Sequence, residues 1–127
     1  MAILPMKPAR SYRDLIAWHK SHALVIEIYR RTHDFPKSEM YGLTAQLRRA
    51  AVSVPSNIAE GQGRLSTGEF KQFLGHARGS LTEVETQILI AQDLGMFQIE
   101  ISDALLRECA EVGRILNGLI ASLNQRR

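Results

Sequence analysis

The sequence predicts an all-α protein, an antiparallel up-down-up-down four-helix bundle. Apolar residues recur at steps of three and four along four long stretches, short connections join those stretches, and nowhere does an alternating strand pattern appear. Short connections force neighbouring helices antiparallel, and three-four spacing on each of them gives a shallow crossing.

Residues 1–12 read as an extended basic lead-in, since Pro5 and Pro8 disfavour helix and Lys7 and Arg10 keep the segment hydrated. One bundle domain then spans residues 13–124, and residues 125–127 form a basic tail. The first helix is expected to start near Arg13 or Asp14. Its seam reads Leu15, Trp18, His22, Val25, Tyr29 and Thr32, and Phe35-Pro36 ends it because the residue before proline leaves the α region.

Ser38 is the expected N-cap of the second helix, whose core stripe is Leu43, Leu47, Ala50, Val54 and Ile58. Pro55 interrupts it, which predicts either two shorter helices or, since the stripe keeps its phase, one kinked helix. Gly61 and Gly63 are the expected stop. The third helix opens at Ser66 or Thr67 with Glu69 in its first turn. It carries the most regular seam, Phe70, Leu74, Ala77, Leu81, Val84, Ile88 and Ala91, and runs to Leu94-Gly95. The fourth resumes between Ile99 and Ser102 with Leu105, Cys109, Val112, Leu116, Leu119 and Leu123 inward.

A chain of 127 residues with 45% hydrophobic and 23% charged residues fits one globular domain. A single cysteine, Cys109, excludes an intramolecular disulfide and a multi-cysteine zinc site. No run reaches the roughly 20 apolar residues of a membrane span, and the proline-broken N-terminus lacks a signal-peptide core, so the expected location is cytoplasmic. Net charge is +3, distributed unevenly: residues 1–64 hold ten Lys/Arg against five Asp/Glu, and residues 65–127 hold six against eight. Such asymmetry marks either a polyanion-binding surface or complementary faces of an oligomer.

Beside the core stripe of the second helix runs a polar one: Gln46, Arg49, Ser53, Asn57 and Glu60. Lys71, Arg78, Glu85 and Gln92 repeat at sevens on the third helix. The expectation is a structural polar seam, with Arg49 and Glu60 meeting Glu85 and Arg78 across a helix or subunit boundary, and with the seam's polar groups satisfying one another and the backbone freed by Pro55. Apolar residues outside the seams, Leu89 and Ile90 above all, hint at burial against another subunit.

The stretch QLRRAAVSVPSNIAEGQGR, preceded by DLIAWHKSHALVIEIYRRTHDFP and followed by FLGHARGSLTEVETQILIAQDLG, closely resembles the four-helix-bundle proteins encoded within intervening sequences of bacterial 23S ribosomal RNA genes. The resemblance covers Tyr12 to Leu123. It implies a bundle that assembles as a homopentameric barrel. More distantly the chain is similar to accessory proteins of diversity-generating retroelements, pentamers that bind nucleic acid and a reverse transcriptase.

Catalytic chemistry finds little support. Ser53, Asn57 and Glu60 lack a histidine at local helical spacing to serve as general base, so no catalytic residue is assigned and the protein is not expected to be an enzyme. His19 and His22 have metal-ligand spacing but no third ligand nearby, and His22 falls on the seam; no metal or other cofactor is expected. Cys109 reads as a small core residue. Gly61-Gln62-Gly63-Arg64 follows a helix rather than a strand and lacks the P-loop lysine, which favours a helix-terminating loop over a phosphate cradle.

The expected function is therefore non-enzymatic: a homo-oligomer that binds structured RNA or another nucleic acid through phosphate contacts from Arg30, Arg31, Arg48 and Arg64. Few aromatic residues are expected at exposed positions, which disfavours base-specific single-strand readout. The alternative is a protein-protein interaction scaffold or accessory subunit, for example of a reverse transcriptase, without direct nucleic-acid binding. A membrane partner is not expected.

Overall fold

The computed structural model describes residues 11–125; the predicted lead-in at residues 1–10 and the terminal Arg126 and Arg127 lie outside the described residues. Four helices account for most of the fold: α1 (Ile16–Thr32), α2 (Leu43–Gln62), α3 (Thr67–Asp93) and α4 (Ile99–Asn124), with no strand among the described residues. α2 packs on α1 and α3, and α4 packs on the same two helices, so a single core lies at the centre. Along α3 and α4, Lys71 meets Asn124, Arg78 meets Asn117 and Gln92 meets Ser102, so the contacts descend one helix as they climb the other.

The chain enters through a 3-10 turn, Tyr12–Asp14, rather than through α1 itself. Ser11 Oγ accepts from the Arg13 amide at 3.0 Å and Asp14 Oδ2 accepts from the Ser11 amide at 3.3 Å, a reciprocal cap. α1 therefore starts at Ile16, later than the spacing predicts, and it ends at Thr32. Its core line also differs from the predicted seam. Ala17, Ser21, Leu24, Ile28 and Thr32 are buried, whereas His22 and Tyr29 are exposed and Leu15, Trp18 and Val25 are only half-buried. Small residues at 17 and 21 fit the bundle centre, and the bulkier Trp18 and Val25 line its flank.

A second 3-10 turn, Lys37–Glu39, contains Ser38, so Ser38 does not cap α2. Gly42 holds the N-cap position and Glu39 supplies the missing acceptor, its Oε1 taking the Leu43 amide at 3.3 Å. From there α2 runs unbroken with Pro55 inside it. Leu47, Ala50, Val54 and Ile58 are buried as predicted, joined by Thr44, Ala51, Pro55 and Gly61. Gly61 still belongs to the helix, and Gly63 is the C-cap.

α3 matches its seam residue for residue, with Leu74, Ala77, Leu81, Val84, Ile88 and Ala91 buried and Phe70 packed at the core's edge. Ser66 Oγ accepts from the Glu69 amide at 3.1 Å at its start. At its end Gly95 adopts φ +75°, so that the Gly95 and Met96 amides return to the carbonyls of Gln92 and Ala91. This reversal drops Phe97 into the core, its ring 4.7 Å from that of Phe35. On α4, Leu105, Cys109, Val112, Leu116 and Leu123 are buried, with Leu119 at the margin.

Candidate nucleic-acid interface

Arg30 and Arg31 lie in the last turn of α1, where cations complement the helix dipole. Arg31 Nε sits 2.7 Å from Glu27 Oε1, and Arg30 reaches the same carboxylate at 3.9 Å while its side chain stays 74% exposed. One acid thus serves two cations, leaving net positive charge. Arg48 approaches from α2, donating from Nε to Thr32 Oγ1 at 2.9 Å and laying its guanidinium 4.6 Å from the centre of the Tyr29 ring. Thr32 Oγ1 in turn donates to the Ile28 carbonyl at 2.7 Å, so Arg48 is held in place through a buried hydroxyl. His33 and Lys37 lie at the same end of the molecule, around a cavity they share with Arg48.

Arg64 does not join this cluster. It stands sixteen residues beyond Arg48, one past the α2 C-cap, or about 24 Å at the rise of a helix. Its guanidinium bonds Glu60 Oε1 at 2.7 Å and covers the Phe73 ring at 4.6 Å. The four predicted phosphate ligands therefore divide three and one, with Arg64 paired to Glu60 as Arg31 is paired to Glu27. Arg64 thus lies just beyond the far end of the helix that carries Arg48.

The polar seam is partly assembled. Ser53 Oγ and Ser80 Oγ lie 2.8 Å apart, and Asn57 Nδ2 donates to the Ser53 carbonyl at 2.8 Å and to its Oγ at 2.9 Å. The carbonyl that Pro55 frees is that of Ala51, so Asn57 satisfies a different one. Gln46, Arg49 and Ser53 continue with Ser80, Glu83 and Gln87 as a polar groove between α2 and α3. The Gln87 Oε1 there is buried without a hydrogen-bond partner. The predicted ion pairs of Arg49 with Glu85 and of Glu60 with Arg78 do not form within the chain. Glu60 takes Arg64, and Arg78 Nη1 donates to Asn117 Oδ1 at 3.1 Å on α4. The reason is helical geometry: the row Lys71, Arg78, Glu85, Gln92 flanks the α3 core stripe on the α4 side, and the row that faces α2 is His76, Ser80, Glu83, Gln87.

The other candidates resolve simply. His19 and His22 both contact the Trp18 ring, His22 stacked at 4.8 Å, and no three His, Cys, Asp or Glu residues gather as a metal site among the described residues. Cys109 is wholly buried, and burial pushes its thiol up to about 12, with Glu85 and Glu108 adding to the shift. Gly61 packs against α3 and Gly63 caps α2, so the run ends a helix. An apolar groove on the α1–α2 flank, lined by Trp18, Val25, Ile26, Val52 and Pro55, is a feature the periodicity hides, because it assigns Trp18 and Val25 to the core seam.

The arrangement is that of an all-α bundle with a cluster of arginines at the α1–α2 junction and a polar groove on its flank. The family model for the 23S rRNA-intervening sequence protein matches residues 13–118, and the chain belongs to that family. In fold it is similar to a crystallised protein of unknown function from the S23 ribosomal protein family of Bacteroides thetaiotaomicron, with a TM-score of 0.75 at 18% identity, over 83% of this chain and 98% of that one. A search of curated proteins finds no match. No helix among the described residues is long and apolar enough to cross a membrane.

Proposed function

We propose that the protein is a non-enzymatic homo-oligomer that binds structured RNA, or another nucleic acid, through phosphate contacts made by the arginine cluster at the α1–α2 junction. The observation that carries this reading is the gathering of Arg30, Arg31 and Arg48 at the α1–α2 junction with Lys37 and His33 beside them. In an oligomer symmetry copies this cluster, and a pentamer, the assembly the family resemblance implies, presents it five times around one axis. Phosphate contacts position a protein without reading bases, so binding is weakly sequence-selective.

Assembly is favoured by the α2–α3 flank. Arg49 and Glu83 line its polar groove without a salt bridge among the described residues, and Gly75 and Gly79 leave the α3 surface open there, with nothing within 4 Å of where a Cβ would stand. An interior helix glycine costs about 1 kcal/mol relative to alanine, which a second backbone approaching closely offsets. The second reading, a scaffold for a protein partner, is favoured by the apolar α1–α2 groove.

The test combines light scattering with RNA binding at graded salt. An oligomer whose affinity for an RNA hairpin falls with a log-log slope of about −0.7 to −0.9 per phosphate contact, flattened in Arg30→Gln/Arg31→Gln, supports the first reading. A monomer of 14.3 kDa, or no RNA binding at about 50 mM salt, removes it.

A further inference from the structure

Beyond the basic surface, the α1–α2 junction encloses a cavity of about 530 Å³, a size typical of small-molecule sites. Its lining divides into two chemistries. Phe35, Pro36 and Met40 form an apolar side, and Thr44 and Arg48, one turn apart on α2, form a polar side with His33 and Lys37 on exposed positions of the rim. Thr44 is 2% exposed, and its hydroxyl oxygen is buried with no hydrogen-bond partner. Buried hydroxyls are ordinarily paired, so this one marks a place where a polar group belongs. Thr44 also occupies the first turn of α2, where the dipole favours an anion and the Glu39 carboxylate takes only the Leu43 amide. Arg48 spends its Nε on Thr32, and its two terminal nitrogens remain for a ligand. Asp34 is the one carboxylate in the lining, against three cationic or protonatable groups.

We infer that this cavity binds a phosphate monoester joined to an apolar or planar group, with the phosphate against Thr44 and Arg48 and the organic part along Phe35, Pro36 and Met40. A free mononucleotide and the 5′-phosphorylated end of an RNA share that chemistry. Arg48 is shared with the backbone contacts proposed above, whereas Thr44 belongs to this cavity alone, so the mononucleotide and the Thr44 variant separate the two.

The full-length protein is titrated with adenosine 5′-monophosphate and with adenosine at constant ionic strength. Saturating the nucleotide raises the melting temperature by a few degrees, whereas adenosine does not. Thr44→Val and Arg48→Gln each weaken nucleotide binding by about tenfold or more, and Lys71→Gln, on α3, leaves it unchanged. Thr44→Val melts no lower than the parent without ligand, since the hydroxyl it removes has no partner, and this separates lost binding from lost folding. Equal response to nucleotide and nucleoside, or undiminished binding in both cavity variants, overturns the assignment. A second arm compares a short RNA with and without its 5′-phosphate. Tighter binding of the phosphorylated strand identifies the RNA end as ligand; equal binding of the two strands, with the mononucleotide still bound, identifies the free nucleotide.

Discussion

Gly61 on α2 and Phe73 on α3 approach so closely that a Cβ at position 61 would stand 2.7 Å from Phe73 Cβ. The Phe70 ring and carbonyl lie at 3.0 and 3.3 Å from the same point, so backbone as well as side chain closes the space. The glycine lets α2 and α3 meet at the end where Arg64 covers Phe73.

Gly61→Ala should therefore destabilise the fold despite alanine's better helix propensity. Overpacking costs about 1 to 3 kcal/mol and the propensity gain returns about 1, leaving a net loss of up to about 2. Chemical denaturation measures it; a variant at least as stable as the parent would show that the two helices separate freely.

Gly75→Ala and Gly79→Ala are predicted to act in the opposite sense on the isolated chain. With nothing within 4 Å of either position, each substitution should stabilise the helix by about 1 kcal/mol. If a second copy packs on this flank, the same methyl groups hold the subunits apart. The expected outcome is a double variant with unchanged helical content and weaker assembly by light scattering, and an assembly that survives both substitutions would place the contact elsewhere.

Glu108, at an exposed position on α4, has its carboxyl raised above the usual value of 4.5, first by partial desolvation and then by Glu27 and Glu111, against the lowering effect of Arg31 and Lys20. A raised folded-state value means that the native chain binds more protons than the unfolded one between 4.5 and the raised value, so this group's contribution declines as pH rises through that window. Glu108→Gln should accordingly melt above the parent at pH 7, with the difference shrinking below pH 4.5. Melting curves across that range decide it, and a variant less stable at neutral pH would reverse the assigned sign.

Cys109 should resist thiol reagents in the folded protein. Its burial and its raised value of about 12 both keep it a shielded thiol, and the thiolate is the reactive form. Labelling is expected to follow unfolding, with the full signal regained in denaturant; rapid labelling of the native protein would reveal an opening of α4.

Much of the bundle was legible because amphipathic periodicity is local information. On α3 the apolar step of three and four leads directly to six buried residues, Leu74 through Ala91, and on α2 to Leu47, Ala50, Val54 and Ile58. On α1 it pointed to Trp18, Val25 and Tyr29, since those residues outweigh Ala17 and Ser21 in hydrophobicity, yet the two small residues hold the buried positions. Hydrophobicity ranks side chains by transfer from water, and the space at a helix contact ranks them by size. The exposure of Tyr29 also gives Arg48 a ring to stack on, a contact between helices that spacing along one helix does not encode.

What the sequence determined by itself is the all-α class, the family, the apolar stripes of α2, α3 and α4, and the composition of the polar rows. Tertiary structure decided which rows meet. Residues one position before and one after a core stripe lie on opposite sides of the helix, and only the placement of the neighbouring helices assigns those sides. Thus Ser53 finds Ser80 rather than a member of the Lys71 row, and Arg78 turns to Asn117. The same placement brings Arg48 to Thr32 beside Arg30 and Arg31 and leaves Arg64 with Glu60 at the other end of α2, because a helix fixes the distance between its own residues and folding alone chooses their company.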